Sequence, residues 1–497
     1  MFEAFFNCLK IQELRNKLIF TLALLFVARI GACIPLPGLD PKALHDFFVT
    51  QRGSGNNLVG MYNMFTGGAF LKGAIFGLGV MPYISASIIF QLLAAVAPSI
   101  ARIQREQNGH QKIAQYTRYL TLLICLIQGV LLVLALSNYP EKIFPGFDRS
   151  IYGDIVIMGR GWFLFNSTII LTAGTMILTW IGDRITQLGI GNGVSLLITV
   201  GILSSLPGAV IQLVQMFTKP VGAESAEMGM PHLLLMLTLL VVVIYSMVAV
   251  TQATRKIPVQ YARRVIGRKM MGGQNSFLPL KVNYAGVMPV IFASTLIMFP
   301  QQIFTYIAGA WNLPFFVKIA NALMHGSTIF YVIYGTLILC FSYFWVSIMF
   351  KPMQIAEDLK KSGGYIPGVR PGNDTANFLD FSMTRLTLAG AIFLTVVALL
   401  PDLISISFGI PYTISMFFGG TGTLITVGVI LDTMRQMEVQ LLERNYDGFL
   451  QKGKVRSRGI RGGFDFSEFV ESCKKIRGIL FILAGLLVIG LVAWLLK

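Results

Sequence analysis

Thirty of the forty lysines and arginines in this chain fall in alternate gaps between its apolar segments. Ten apolar runs, almost free of charge, centre on residues 18–34, 81–97, 120–136, 161–181, 194–214, 233–250, 285–299, 329–350, 386–400 and 414–431. Most approach the ~20 residues that a helix needs to cross a bilayer core. The basic gaps hold Lys10, Arg15 and Lys17, then Arg102, Arg105, Lys112 and Arg118, then Arg184. Seven more basic residues follow in 251–284, five in 351–385 and ten in 435–477. Lysine and arginine are retained on the cytoplasmic side of a membrane. The pattern therefore predicts an all-α membrane protein that crosses repeatedly from a cytoplasmic amino terminus.

Composition agrees and narrows the chemistry. Hydrophobic residues make up 55% of the chain and charged ones 13%, against about 25% charged in soluble domains. Topology and anionic headgroups account for most of the net charge of +17. Cys8, Cys33, Cys125, Cys340 and Cys473 lie far apart without CxxC spacing, which argues against a disulfide framework or a zinc site. His45, His110, His232 and His325 are equally scattered. The one phosphate-loop lookalike, residues 448–454, is followed by Val455 where Mg²⁺ needs Ser or Thr. No cofactor, metal or catalytic centre is expected. Glu357, Asp358, Asp374, Asp380, Glu438 and Glu443 are expected in cytoplasmic loops, which leaves Arg29 almost alone as a charge within a span. Ion-coupled carriers place carboxylates inside the membrane, so a proton- or sodium-driven pump is disfavoured.

The ten spans divide into five and five at the loop 219–231. An odd number of crossings per half makes the halves insert with opposite orientation, as in many transport proteins. The expected boundaries are a cytoplasmic segment 1–17, a first half 18–215, an inter-half loop 216–231, a second half 232–432 and a basic tail 433–477. A nineteen-residue uncharged run, 478–496, follows Lys474, Lys475 and Arg477 and is expected to cross as an eleventh helix, with Lys497 outside. Within the first half, residues 60–79 hold six glycines and Lys72. Glycine costs about 1 kcal/mol in a helix relative to alanine, and a lysine facing lipid is expensive. That stretch is expected to be shielded by protein or to line a watery cavity, where irregular backbone is tolerated.

Several strings carry a family resemblance: RIGACIPLPGLD (29–40), MYNMFTGGAF (61–70), MPYISASIIFQLL (81–93), QYTRY (115–119), GIGNGVSLL (189–197), LPLKVNYAGVMPVIFAS (278–294) and KKSGGYIPGVRPG (360–372). In order and spacing they resemble the SecY family of protein-conducting channels over about residues 10–446. The resemblance implies passage of unfolded preproteins across the membrane, or laterally into it. It implies a plug at Asn63, Met64, Phe65, Thr66, Gly67, Gly68, Ala69, Phe70 and Leu71. It implies a pore ring of Val80, Ile84, Ile198, Ile291 and Ile425, with Val80 departing from the family's commoner Ile. A lateral gate between residues 81–97 and 285–299 is implied too, with Ser85 and Phe299 facing each other and Gln91, Asn192 and Asn283 as polar gate residues.

Implied partners are SecE-like and SecG-like subunits, a SecA motor or a ribosome as the source of force, preprotein signal sequences and anionic lipids, in a bacterial cytoplasmic membrane. Loop 251–284 carries Arg255, Lys256, Arg263, Arg264, Arg268, Lys269 and Lys281 without a single Asp or Glu. That surplus suits ribosomal RNA phosphates or an acidic motor surface, and Arg370 matches a family position important for the motor. A solute carrier of similar size is the rival class. It would need convergent polar groups at mid-membrane, where this chain offers mainly apolar residues and amides.

Overall fold

The computed structural model describes residues 11–40, 63–97, 100, 103, 109–138, 155–218, 230–261, 264–266, 269–271, 275–311, 314–323, 326–408, 412–417 and 419–452. Nine of the ten apolar runs lie mostly on a single helix, and the tenth, 414–431, is divided between two. The first five helices are α1 (Gln12–Gly31), α2 (Met81–Val96), α3 (Gly109–Asn138), α4 (Arg160–Leu188) and α5 (Gly193–Thr218). After α6 (Met230–Gln252) come four strands, β1 (Thr254–Tyr261), β2 (Arg264–Ile266), β3 (Lys269–Met271) and β4 (Asn275–Lys281). The second half continues with α7 (Met288–Trp311), α8 (Pro314–Ala322), α9 (Thr328–Met349), α10 (Pro352–Lys361), β5 (Gly364–Tyr365), α11 (Asn373–Phe408), α12 (Tyr412–Ser415) and α13 (Gly420–Lys452). The chain forms two units, 1–438 and 439–497; of the second, residues 439–452 are described and are helical.

Five helices among the described residues are long and apolar enough to cross a membrane: Gln111–Leu134, Arg160–Leu188, Gly193–Val214, Thr328–Lys361 and Asn373–Ser405. Met81–Ala94, Thr238–Gln252 and Met288–Met298 are shorter apolar helices. On α4 the exposed Trp162 and Trp180 are 64% and 54% accessible, eighteen residues apart and so about 27 Å along the axis. That separation is close to a hydrocarbon thickness of ~30 Å, and tryptophans favour both membrane interfaces. Arg184 lies over the Trp180 ring at 5.6 Å. Large apolar side chains such as Phe26 and Val332 point outward, which suits lipid rather than water.

Helix continues past several apolar runs, because backbone bonding persists wherever solvent can take the side chains. This corrects one expectation. Glu357 and Asp358 lie on α10, Asp374 and Asp380 on α11, and Glu438 and Glu443 on α13, rather than in loops. Asp402, on α11 beside the in-helix Pro401, is only 5% exposed.

The larger correction is the loop 251–284, which is not all loop. β1 pairs antiparallel with β4, from Thr254↔Lys281 to Gln260↔Asn275. Its far end pairs with β5 through Gln260↔Tyr365 and Tyr261↔Gly364, giving the order β4-β1-β5. β2 and β3 form a separate hairpin. Proline cannot donate to a ladder and is tolerated at sheet edges. Pro279 accordingly sits on the outer strand β4, and Pro258 on the part of β1 paired on one side alone. Ile257, Val259 and Leu280 pack inward against Phe350, Ile366, Leu379 and Met383. A few alternating apolar positions amid charge, and a partner strand about a hundred residues away, left little pattern to read in the sequence.

Candidate functional site

Four of the five expected ring residues arrive from four helices. Ile84 on α2, Ile198 on α5, Ile291 on α7 and Ile425 on α13 all fall within the first two turns of their helices. Each is at most 6% exposed, and all four share one apolar cluster. Val80 is set apart. It precedes α2 and packs in the adjoining cluster with Leu25, Ala28, Phe76 and Leu178. There it lines a cavity of about 30 Å³ together with Arg29, Phe65 and Thr66.

Residues 63–71 pack against this cluster. Met64 and Phe65 belong to it, and the sulfur of Met64 lies 3.0 Å from where a Cβ on Gly422 of α13 would stand. The segment is one helical turn followed by tight turns, tied largely to itself. Asn63 accepts from the Thr66 hydroxyl (3.1 Å) through its carbonyl and from the Leu71 N–H (3.2 Å) through its side chain. The Thr66 oxygen in turn accepts from the Phe70 N–H at 3.3 Å. Gly67 has φ +66°, a left-handed conformation open to glycine. A Cβ there would meet the Gly201 Cα of α5 at 2.7 Å. Gly68 is also left-handed and Ala69 is fully buried. Beyond Leu71 the chain is anchored by a bridge between Pro35 and Ala74, flanked by Leu36 N–H to Gly73 O at 2.8 Å and Ile75 N–H to Ile34 O at 2.9 Å.

Sequence reasoning missed what holds the segment from outside. Arg29, on the last turn of α1, donates from Nη1 to the Gly67 carbonyl at 2.9 Å, and the Ser204 hydroxyl of α5 approaches the same oxygen at 3.2 Å. The signal was present in the lone charge of an apolar run. A cavity of about 310 Å³ lies alongside, lined by Arg29, Asn63, Lys72, Ser204 and Gln212 among others. Lys72 places its ammonium 3.8 Å from the Cys33 sulfur.

The expected gate helices, α2 and α7, pack against each other. Ser85 donates to the Met81 carbonyl of its own helix at 3.1 Å. Gln91 donates to Ser87 at 3.2 Å, while its Oε1 is buried without a partner. Asn192 caps α5, its side-chain oxygen accepting from the Ser195 N–H at 3.3 Å. Asn283 is buried between β4 and α7. Phe299 is placed by its backbone alone, on α7 beside Pro300.

The expected basic residues are divided between the three-stranded sheet, the separate β2–β3 hairpin and the turn after β5. Arg255 and Lys256 are exposed on β1. Arg264 and Lys269 lie on the β2–β3 hairpin, while Arg263 and Arg268 fall outside the described residues. Arg370 is exposed in the turn after β5, with its carbonyl accepting from Thr375 Oγ1 at 2.8 Å. Pairing of β1 with β5 ties the two basic loops together, helped by the Tyr365 hydroxyl donating to Gln260 at 3.1 Å. Lys281 differs: burial and then nearby Arg435 hold its ammonium below the usual lysine range, with Asp432 opposing.

The SecY family model matches residues 74–434. The chain belongs to the SecY family. The protein translocase subunit SecY of Chlamydia trachomatis is 42% identical over 453 residues, 90% of this chain and 98% of its own. That of Escherichia coli K12 is 38% identical over 452 residues, 90% and 96% respectively. Thermotoga maritima SecY is 40% identical over 463 residues, 92% of this chain and 100% of its own. A solved protein-conducting channel superposes with TM-score 0.54 at 19% identity, over 85% of this chain and 91% of that one. Sec61 from a canine ribosome–channel complex gives 0.51 at 18% identity, over the same shares. The family match takes in all five expected ring residues, whereas Arg29 and residues 63–71 precede it.

Proposed function

We propose that this chain is a protein-conducting channel of a bacterial cytoplasmic membrane, passing unfolded preproteins across it and releasing apolar segments sideways into lipid. One observation carries the reading: four isoleucines from four helices share an apolar cluster with Met64 and Phe65. A constriction of branched aliphatics dewets when narrow, yet offers no fixed partner to a passing chain. Val80 flanks the ring, Ile84, Ile198, Ile291 and Ile425 form it, and residues 63–71 are the plug. Ser85, Gln91, Asn192, Asn283 and Phe299 belong to a lateral gate between α2 and α7. Ten spans in two inverted halves, the amino terminus in the cytoplasm, put the basic sheet on the cytoplasmic side.

That sheet, the β2–β3 hairpin and the turn after β5, with Arg255, Lys256, Arg264, Lys269 and Arg370, receive a SecA motor or a ribosome, and SecE-like and SecG-like subunits complete the channel beside anionic lipids. The chain supplies passage rather than catalysis. Co-reconstitution with a SecE-like subunit and a SecA motor into vesicles tests this. ATP-dependent protection of a preprotein from external protease is expected. Uptake of a small solute by the purified chain alone, with no preprotein protected, would refute it.

A further inference from the structure

We infer that Arg29 is the residue that positions the plug, holding it shut through the carbonyl of Gly67. This rests on the reading of residues 63–71 as a plug. A cation inside a span is costly unless it has a task, and Arg29 aims its Nη1 at the Gly67 oxygen, 2.9 Å away. Hydrogen bonds from charged donors are about twice as strong as neutral ones. The second donor near that oxygen is weaker on two counts. Ser204 Oγ stands farther off, at 3.2 Å, and its single hydroxyl proton also has the Gly201 carbonyl at 2.7 Å. The guanidinium therefore supplies most of the polar hold.

Several of the segment's other bonds turn inward on Asn63 and Thr66 and so travel with the plug, while Gly73 N–H to Phe70 O (3.0 Å) and Ala74 N–H to Ala69 O (2.8 Å) tie its far end to the anchor. The anchor at residues 73–75 follows the segment directly and is where it would hinge. At the Gly67 end, departure is opposed by apolar packing of Met64 and Phe65, by the bond from Arg29 and by the weaker contact from Ser204. Arg29 also borders the 310 Å³ cavity, so water can take over its donors once Gly67 leaves. The bond thus breaks without stranding a bare charge, which suits a latch that must reopen. The close fit of Gly67 on Gly201 sets the carbonyl within reach, since a Cβ at Gly67 would stand 2.4 Å from the Arg29 nitrogen.

A cation in the last turn of a helix also favours the helix dipole. That role would not depend on residues 63–71, and the test separates the two. Resting ion conductance is measured in planar bilayers for the full chain with its partner subunits, in the presence and absence of residues 63–71. Arg29→Met is expected to raise the leak of the full-length channel about tenfold, equivalent to ~1.4 kcal/mol of closed-state stability. It is expected to add nothing once residues 63–71 are deleted. Arg29→Lys should fall between wild type and Met, and Ser204→Ala should stay near wild type.

An unchanged leak in Arg29→Met, or an equal added leak in both backgrounds, would overturn the latch while leaving the plug intact. So would Lys behaving as Met, or Ser204→Ala leaking as much as Arg29→Met. A deletion of residues 63–71 that does not leak would instead overturn the plug reading, and the latch with it. If Arg29→Met does not assemble, Arg29→Lys in both backgrounds separates the same two roles.

Discussion

Single residues matter most where a side chain is both buried and asked to let something pass. Ile84, Ile198, Ile291 and Ile425 are ordinary span aliphatics in composition, and it is their convergence from four helices that makes them a candidate seal. Replacing any one with Ser removes packing worth about 2–5 kcal/mol in a tight core, but a constriction must already be loose enough to open, so the cost should fall at the low end. Conversion of Ile198 and Ile425 together to Ser is expected to wet the constriction and raise resting single-channel conductance, with the chain still assembled. An unchanged conductance would place the constriction elsewhere. Val80, in a different cluster, should contribute less, and Val80→Ser is expected to leak less than Ile198→Ser in the same measurement.

At the scale of elements, the sheet is the feature that binds distant stretches of sequence. β1 carries Arg255 and Lys256 near its start, and the pairing of its far end with β5 ties the turn bearing Arg370 to the same sheet. Charge on such a surface acts through steering and desolvated contact with an oppositely charged partner. Arg370→Glu reverses one charge in an exposed turn without touching a ladder hydrogen bond, so assembly should be retained. Motor-driven export into reconstituted vesicles is expected to fall at least tenfold, and the loss should deepen as salt is lowered. Normal export by that variant would remove Arg370 from the motor surface.

The whole molecule raises questions of sidedness and of movement between its parts. Cysteines introduced as Ser85→Cys and Phe299→Cys should cross-link under oxidation if α2 and α7 meet as a closed gate, and the bond should stop translocation. Failure to form it would count against that pairing. Residues 478–496 lie outside the described residues, yet their length, lack of charge and preceding basic cluster still predict a crossing. With Lys497→Cys, a membrane-impermeant thiol reagent is expected to label intact cells; labelling only after the membrane is opened would refute the eleventh span.

The sequence by itself determined where helices run, because hydropathy and the placement of Lys and Arg report the energy of each segment against lipid and water. Nine of the ten apolar runs lie mostly on a single helix for that reason, and the tenth is divided between α12 and α13. Its glycine-rich stretch also announced backbone that could not be a plain span, and its motifs named the family. Only the tertiary structure decided which side chains meet. The four isoleucines are separated by up to 341 residues, and no local pattern marks their convergence. The β1–β5 pairing joins strands about a hundred residues apart whose alternation is short and interrupted by charge. Arg29 was legible as a misplaced charge, but its acceptor was not. A backbone carbonyl has no signature in sequence, and Gly67 can offer one there because a left-handed turn without a Cβ lets it approach both Arg29 and Gly201.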